Sequence, residues 1–276
     1  TKKDMKSPLV SSQWLHENLN NPDLIILDAS ESTNKAGLVA EFHDRKIPGT
    51  RYFDIKNTFS DPNGTFPNTF PSTEQFQIGC RSLGINDSSV IVVYDNLGIY
   101  TSPRVWWMFK TMGHDNVHVL NGGLPNWIES CFETVQDYKS NIEPGDFTAK
   151  LQSDQVRTID FIKANIEDQK HLVIDARSEG RFNGTAKEPR EGLRSGHIPN
   201  SVNIPFGDLL ENRKYKSAEE LQAIFEHQGV NDQSLVFSCG SGITACIVLL
   251  AAEMIMDNAT SVYDGSWTEW ATLIKG

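Results

Sequence analysis

The chain repeats itself, and no other feature narrows its fold as much. Leu24-Ile-Ile-Leu-Asp-Ala-Ser30 is echoed by Leu172-Val-Ile-Asp-Ala-Arg177, and Lys46-Ile-Pro-Gly-Thr50 by His197-Ile-Pro-Asn-Ser201. Val90-Ile-Val-Val-Tyr-Asp95 then matches Leu235-Val-Phe-Ser-Cys239, and Val119-Leu-Asn-Gly-Gly123 with Trp127 matches Val262-Tyr-Asp-Gly265 with Trp270. Chance could supply one echo; four in the same order mark a duplicated domain. The expected division is a first domain over 7–137, a linker over 138–155 and a second domain over 156–276. The linker stretch is polar, holds Pro144-Gly145 and lacks apolar periodicity.

Within each half, short apolar runs ending in turn residues alternate with helix-compatible stretches, 72–83 and 103–112 in the first and 218–228 and 244–256 in the second. That alternation predicts an α/β fold of two domains, each a mainly parallel sheet flanked by helices and joined by right-handed crossovers. Gly84 and Gly229 stand where helices should stop. Residues 60–71, with Pro62, Asn63, Gly64, Pro67 and Pro71, read as an irregular loop. Long loops in compact domains often carry function.

Composition removes several function classes. With 276 residues, 38% hydrophobic and 22% charged, the chain can bury ordinary globular cores. A formal net charge of -11 repels phosphate backbones, so no nucleic-acid partner is expected. No apolar run is long enough to span a bilayer, so no membrane partner is expected either. The start, Thr1 to Val10, carries three lysines with no apolar core behind them, which reads against a secretory signal, and Met5 is a candidate natural start. Four cysteines are too few for a disulfide scaffold, and the spacing of Cys239 and Cys246 does not fit a zinc site. No metal or other cofactor is expected, and a reducing compartment is, the cytoplasm first and the mitochondrial matrix as the alternative.

The most informative stretch is Ser238-Cys-Gly-Ser-Gly-Ile-Thr-Ala-Cys246. A strand-like run precedes it and a helix-compatible run follows, which puts Cys239 at the carboxyl end of a strand, where open α/β sheets bind ligands. Gly240 and Gly242 let the backbone bend, and Ser241 adds a hydroxyl. Amides of the loop from Gly240 through Gly242, Ile243 and Thr244, backed by a helix N-terminus, can point at an anion and lower a thiol pKa. A solitary cysteine is most often a buried structural thiol. Strand, Gly-Ser-Gly loop and helix together reverse those odds for Cys239, whereas Cys246 reads as core packing. The matching stretch of the first half has Asp95 near the cysteine's place, so that half lacks the nucleophile.

The repeat, together with Cys239-Gly-Ser-Gly-Ile-Thr-Ala245, Gly180-Arg-Phe-Asn-Gly184, Glu188-Pro-Arg190, Gly196-His-Ile-Pro199 and Tyr263-Asp-Gly-Ser-Trp267, resembles the tandem-domain rhodanese family over nearly the whole chain, from about Val10 to Trp270. The resemblance is strongest to its mercaptopyruvate-using branch. It implies a sulfurtransferase with its site in the second domain, moving sulfur from the small-molecule donor 3-mercaptopyruvate through a Cys239 persulfide to a thiol or cyanide and releasing pyruvate. Thioredoxin is one candidate thiol acceptor. The resemblance also implies that Arg181 and Arg190 bind the donor carboxylate and that Ser241 helps stabilise the leaving enolate. Guanidinium suits that task, since it binds carboxylates in bidentate fashion and keeps its charge. Arg177 and Arg194 read as surface or salt-bridge residues, and His197 as structural.

Departures from the family pattern are visible. A histidine common in the irregular loop is replaced near Asn68, which cannot titrate, although Asp54 stands at the place of a family Asp. Lys46 stands where a His is usual. The alternatives are thiosulfate:cyanide sulfur transfer, and a sulfur carrier or regulatory tandem domain without catalysis. Thiosulfate-using members carry basic residues after the cysteine, where this chain has Gly240-Ser241. A cysteine phosphatase needs a loop-closing arginine, and Ala245 follows Thr244 instead.

Overall fold

A computed structural model describes residues 7–275; the readings of Met5 and of the lysine-bearing start lie outside it. The described chain falls into two compact units. The first runs to Pro62, resumes over Phe70–Gln152 and takes in Asn212–Lys214. The second comprises Asn63–Thr69, Ser153–Glu211 and the chain from Tyr215 onward. Each unit therefore incorporates a short segment from the opposite half of the sequence. Residues 138–152 hold no helix or strand and belong to the first unit, where Phe147 is fully buried against Phe76 and Phe109.

The first unit contains β1 (Leu9–Val10), α1 (Ser12–Glu17), β2 (Leu24–Asp28), β3 (Arg51–Tyr52), α2 (Thr73–Ser82), β4 (Val90–Tyr94), α3 (Ser102–Thr111), β5 (Val117–Leu120) and α4 (Gly123–Glu129). Its five strands pair in parallel in the order β1-β5-β4-β2-β3. The later chain contributes β6 (Val156–Arg157), α5 (Ile159–Asp168), β7 (His171–Asp175), α6 (Glu179–Asn183), β8 (Val202–Asn203), a two-stranded ribbon of β9 (Leu210–Glu211) and β10 (Lys214–Tyr215), α7 (Ala218–His227), β11 (Ser234–Ser238), α8 (Ala245–Ile255), β12 (Thr260–Tyr263) and α9 (Ser266–Leu273). Its second five-stranded parallel sheet runs β6-β12-β11-β7-β8, the same order. The duplication read from four short echoes is thus a duplication of topology.

The central strands are uniformly apolar because flanking helices bury both faces. Ile91, Val92 and Val93 in β4, and Val236 and Phe237 in β11, are fully buried. Helix boundaries follow the expected chemistry. Ser72 caps α2 by accepting from the Gln75 N–H, and Ser217 and Glu220 form a capping box on α7. Gly84 and Gly229 follow α2 and α7 with φ of 70° and 74°, values that let the chain leave a helix at little steric cost. Helix α8 differs from the amphipathic ones: Ala245 through Ala252 are all buried, so it lies inside its unit. That helix starts three residues after Gly242 and fixes the end of the cysteine loop.

Candidate active site

Strand β11 lies between β12 and β7, and Cys239 is the first residue beyond its carboxyl end. The loop turns at Gly242, whose φ of 87° is unfavourable for residues with a side chain. That turn aims the Gly242 N–H at Cys239 Sγ, 3.1 Å away. Ile243 is buried and its carbonyl accepts from the Cys246 N–H, while Thr244 is the N-cap residue of α8. The positive end of the α8 dipole therefore lies beside the loop. Cys246 is buried in the first turn of α8, with its thiol 3.5 Å from the Gly242 carbonyl, as its reading as a packing residue anticipated.

The loop backbone is clamped from the turn after β12. Ser266 Oγ accepts from the Cys239 N–H at 3.2 Å and donates to the Tyr263 carbonyl at 2.9 Å. The Trp267 N–H donates to the Cys239 carbonyl at 2.9 Å, and the Thr268 N–H and hydroxyl donate to the Gly240 carbonyl at 3.1 and 2.6 Å. In a trans peptide the N–H points opposite the carbonyl. Holding these two carbonyls toward α9 turns the amides of Gly240 and Ser241 the other way. The Tyr263–Trp267 motif is thus a scaffold of this loop. Ser266 and Thr268 were not singled out in the sequence; the one available signal was the position of Ser266 opposite Gly123 in the repeat.

Arginines crowd the loop. A Cβ placed on Gly240 would lie 3.1 Å from Arg181 Nη2 and 3.3 Å from Arg190 Nη1, so the two guanidinium tips converge on one backbone position. Arg181 is held by Glu188 Oε2, with Nη2 at 2.6 Å and Nε at 3.1 Å. Glu188 Oε1 accepts from Arg177 Nη1 at 2.6 Å, and Arg177 also pairs with Asp175 at 2.7 Å. Arg177 is 1% exposed and stacks over Trp267 at 4.5 Å, so it is an interior ion pair and not a surface charge. Burial opposes its charge, but the Asp175 and Glu188 carboxylates outweigh burial and hold its pKa above the ordinary value. Arg194 covers the same indole at 4.9 Å and donates to the Ile274 carbonyl. The indirect role of Glu188, which ties the interior arginine to the loop arginine, was not foreseen from its motif.

Residues of the irregular loop complete the site. Asn68 belongs to the second unit, and its Nδ2 lies 3.0 Å from Ser241 Oγ. Asp54 binds the Asn57 backbone and side chain in its own turn. His197 donates from Nδ1 to the Phe182 carbonyl at 2.9 Å and stacks on Phe182, a structural role as expected. Cys239 itself is 1% exposed, while Ser241, Thr244, Arg181 and Arg190 are partly exposed. Such shielding protects a reactive sulfur species from solvent. Among the described residues, no group of three or more His, Cys, Asp and Glu is placed to hold a metal ion.

Comparison with known proteins gives concordant matches. The Rhodanese-like domain family matches residues 11–130 and again 158–273. The human 3-mercaptopyruvate sulfurtransferase is 41% identical over 272 residues, covering 95% of this chain and 91% of its own. The mitochondrial thiosulfate/3-mercaptopyruvate sulfurtransferase 1 of Arabidopsis thaliana is 39% identical over 289 residues, covering 96% and 76%. Among solved structures, the 3-mercaptopyruvate sulfotransferase SseA from Escherichia coli superposes with a TM-score of 0.83 at 32% identity, over 95% of this chain and 99% of that one.

Proposed function

The chain belongs to the family of rhodanese-like proteins, and from that premise we propose that its second half transfers sulfur from 3-mercaptopyruvate to a thiol or cyanide through a persulfide on Cys239. The observation that carries this reading is the convergence on one loop of a thiol facing the Gly242 N–H and two guanidinium tips beside Gly240. In the first step the Cys239 thiolate attacks the donor sulfur. An S–S bond forms, the C–S bond breaks, and its electron pair passes into the enolate of pyruvate. The substrate's own thiol proton balances the step: it leaves the new persulfide and completes pyruvate. In the second step an acceptor thiolate or cyanide takes the outer sulfur and the Cys239 thiolate returns, which splits one transfer into two easier ones.

Arg181 and Arg190, whose guanidinium tips meet beside Gly240, are assigned the donor carboxylate. The loop from Gly240 through Gly242, Ile243 and Thr244, with the Gly240 and Ser241 amides turned from α9 and the Gly242 N–H facing the sulfur, cradles the persulfide. The Ser241 hydroxyl donates to the enolate oxygen, where charge develops and where oriented donors contribute most. The described cysteines are all free thiols, consistent with a reducing compartment, cytoplasm or mitochondrial matrix, and with acceptors such as a small thiol or thioredoxin. No described helix is long and apolar enough to cross a membrane.

The test is a side-by-side donor assay. The expected result is a kcat/KM for 3-mercaptopyruvate about 10²-fold above that for thiosulfate, with one sulfur mass added to the Cys239 peptide and removed by cyanide. Arg190→Ala should raise KM for the keto acid about 10-fold or more with the melting temperature unchanged. Sulfur on Cys246, or equal rates with both donors, would reject the reading.

A further inference from the structure

We propose that Asn68 is a positioning residue for the sulfur-transfer step, holding the Ser241 hydroxyl in one orientation so that its proton faces the bound donor. This rests on the reaction proposed above. Asn68 Nδ2 lies 3.0 Å from Ser241 Oγ and 3.5 Å from the Ser241 carbonyl. An amide nitrogen only donates, so in this pair the serine oxygen accepts. A hydroxyl has a single proton, and with its oxygen receiving from Asn68 that proton points elsewhere. Ser241 lies between Gly240, against which the two guanidiniums converge, and Gly242, whose N–H faces the sulfur. The hydroxyl is thereby a donor throughout the reaction and is never called on to surrender its proton.

The backbone supports the same assignment. Asn68 has a φ of 58°, in the left-handed region where Asn, Asp and His are enriched among residues with side chains. It sits in the 63–69 segment, which packs with the second unit although it belongs to the first half of the sequence. The amide is therefore delivered to Ser241 from a left-handed loop position that suits Asn.

Asn68→Asp tests the idea. It keeps the shape and the left-handed preference but reverses the polarity, because a carboxylate only accepts and so draws the Ser241 proton toward itself. Expected for 3-mercaptopyruvate is a kcat about 10–100-fold lower, KM changed by less than about 3-fold, and an unchanged melting temperature. In a Ser241→Ala background the same substitution should have no further effect, since residues acting through one another are non-additive. Independent multiplication of the two losses, or an Asn68→Asp enzyme equal to wild type, overturns the proposal. A direct readout separates it from the donor assignment: the Asn68 side-chain amide signal in ¹⁵N-labelled protein should move on Ser241→Ala. If wild type does not turn over 3-mercaptopyruvate, the proposed function falls, and an amide signal indifferent to Ser241→Ala overturns the positioning role as well.

Discussion

The two halves build the same loop and fill it differently. Asp95 follows β4 as Cys239 follows β11, Gly98 repeats the positive φ of Gly242 at 103°, and Gly123 repeats that of Ser266, 55° against 53°. The Leu124 N–H donates to the Asp95 carbonyl at 3.1 Å, as the Trp267 N–H does to that of Cys239. In the first half the amides converge on a carboxylate. Asp95 Oδ2 accepts from the Tyr100 and Ser102 N–H groups at 2.9 Å each and from the Ser102 hydroxyl at 2.7 Å, and Oδ1 accepts from the Leu97 N–H at 3.0 Å. A nest of main-chain donors is thus a property of the fold, and the side chain inside it decides whether the occupant can be loaded and unloaded.

A second pair differs in the same spirit. Asp28 and Asp175 end equivalent strands, but Asp28 is met by neutral partners, Ser30 and Tyr138, whereas Asp175 is met by Arg177. Desolvation by burial raises the Asp28 pKa, opposed by its hydrogen bonds from Ser30 and Tyr138. The second half instead carries a buried ion network that reaches Arg181 at the loop through Glu188.

The strongest test of this contrast is Cys239→Ser, expected to lower sulfur transfer at least about 10³-fold without loss of fold. Adding Asp95→Cys to that variant should not restore turnover, because the guanidiniums beside Gly240 belong to the second unit; recovered activity would break the comparison. Next in size, Arg177→Ala should cost about 3–5 kcal/mol in urea unfolding, since it leaves the buried Asp175 without its ion-pair partner and Glu188 with Arg181 alone. Ser30→Ala, its counterpart in the first half, removes a neutral hydrogen bond and should cost about 1 kcal/mol; equal losses would erase the distinction.

The smallest effect concerns pH. A carboxyl whose pKa is raised on folding adds stability below its unfolded value, and that contribution disappears as pH rises through the folded value. Asp28→Asn should therefore melt slightly higher than wild type at pH 7, by about 1–3 °C, and the gap should close toward pH 3. A gap that widens on acidification would mean that Asp28 is stabilised as a carboxylate.

Much of this was legible in the chain. The four ordered echoes carried the duplication, and apolar runs ending in Asp-Ala carried the parallel strands, because local pattern and burial on two faces are one physical constraint. Cys239 stood out through its own neighbours: strand, glycines and helix are contiguous in sequence, so their geometry is nearly local. Arg181 and Arg190 could be nominated by resemblance, but their motifs alone do not tell a surface charge from a site charge. Arg177 shows the difficulty, since an arginine read as a surface or salt-bridge residue proves to be wholly buried.

By itself, then, the sequence determined the repeat, the strand-loop-helix around Cys239 and the loss of the nucleophile at Asp95, because each depends on residues adjacent along the chain. Only the tertiary structure decided that Glu188 couples Arg177 to Arg181, that Ser266 and Thr268 clamp the cysteine loop, and that Asn68 reaches Ser241. The Ser266, Thr268 and Asn68 contacts join positions far apart in sequence, and the strength of the Glu188 bridge lies in distances and burial that no local pattern encodes.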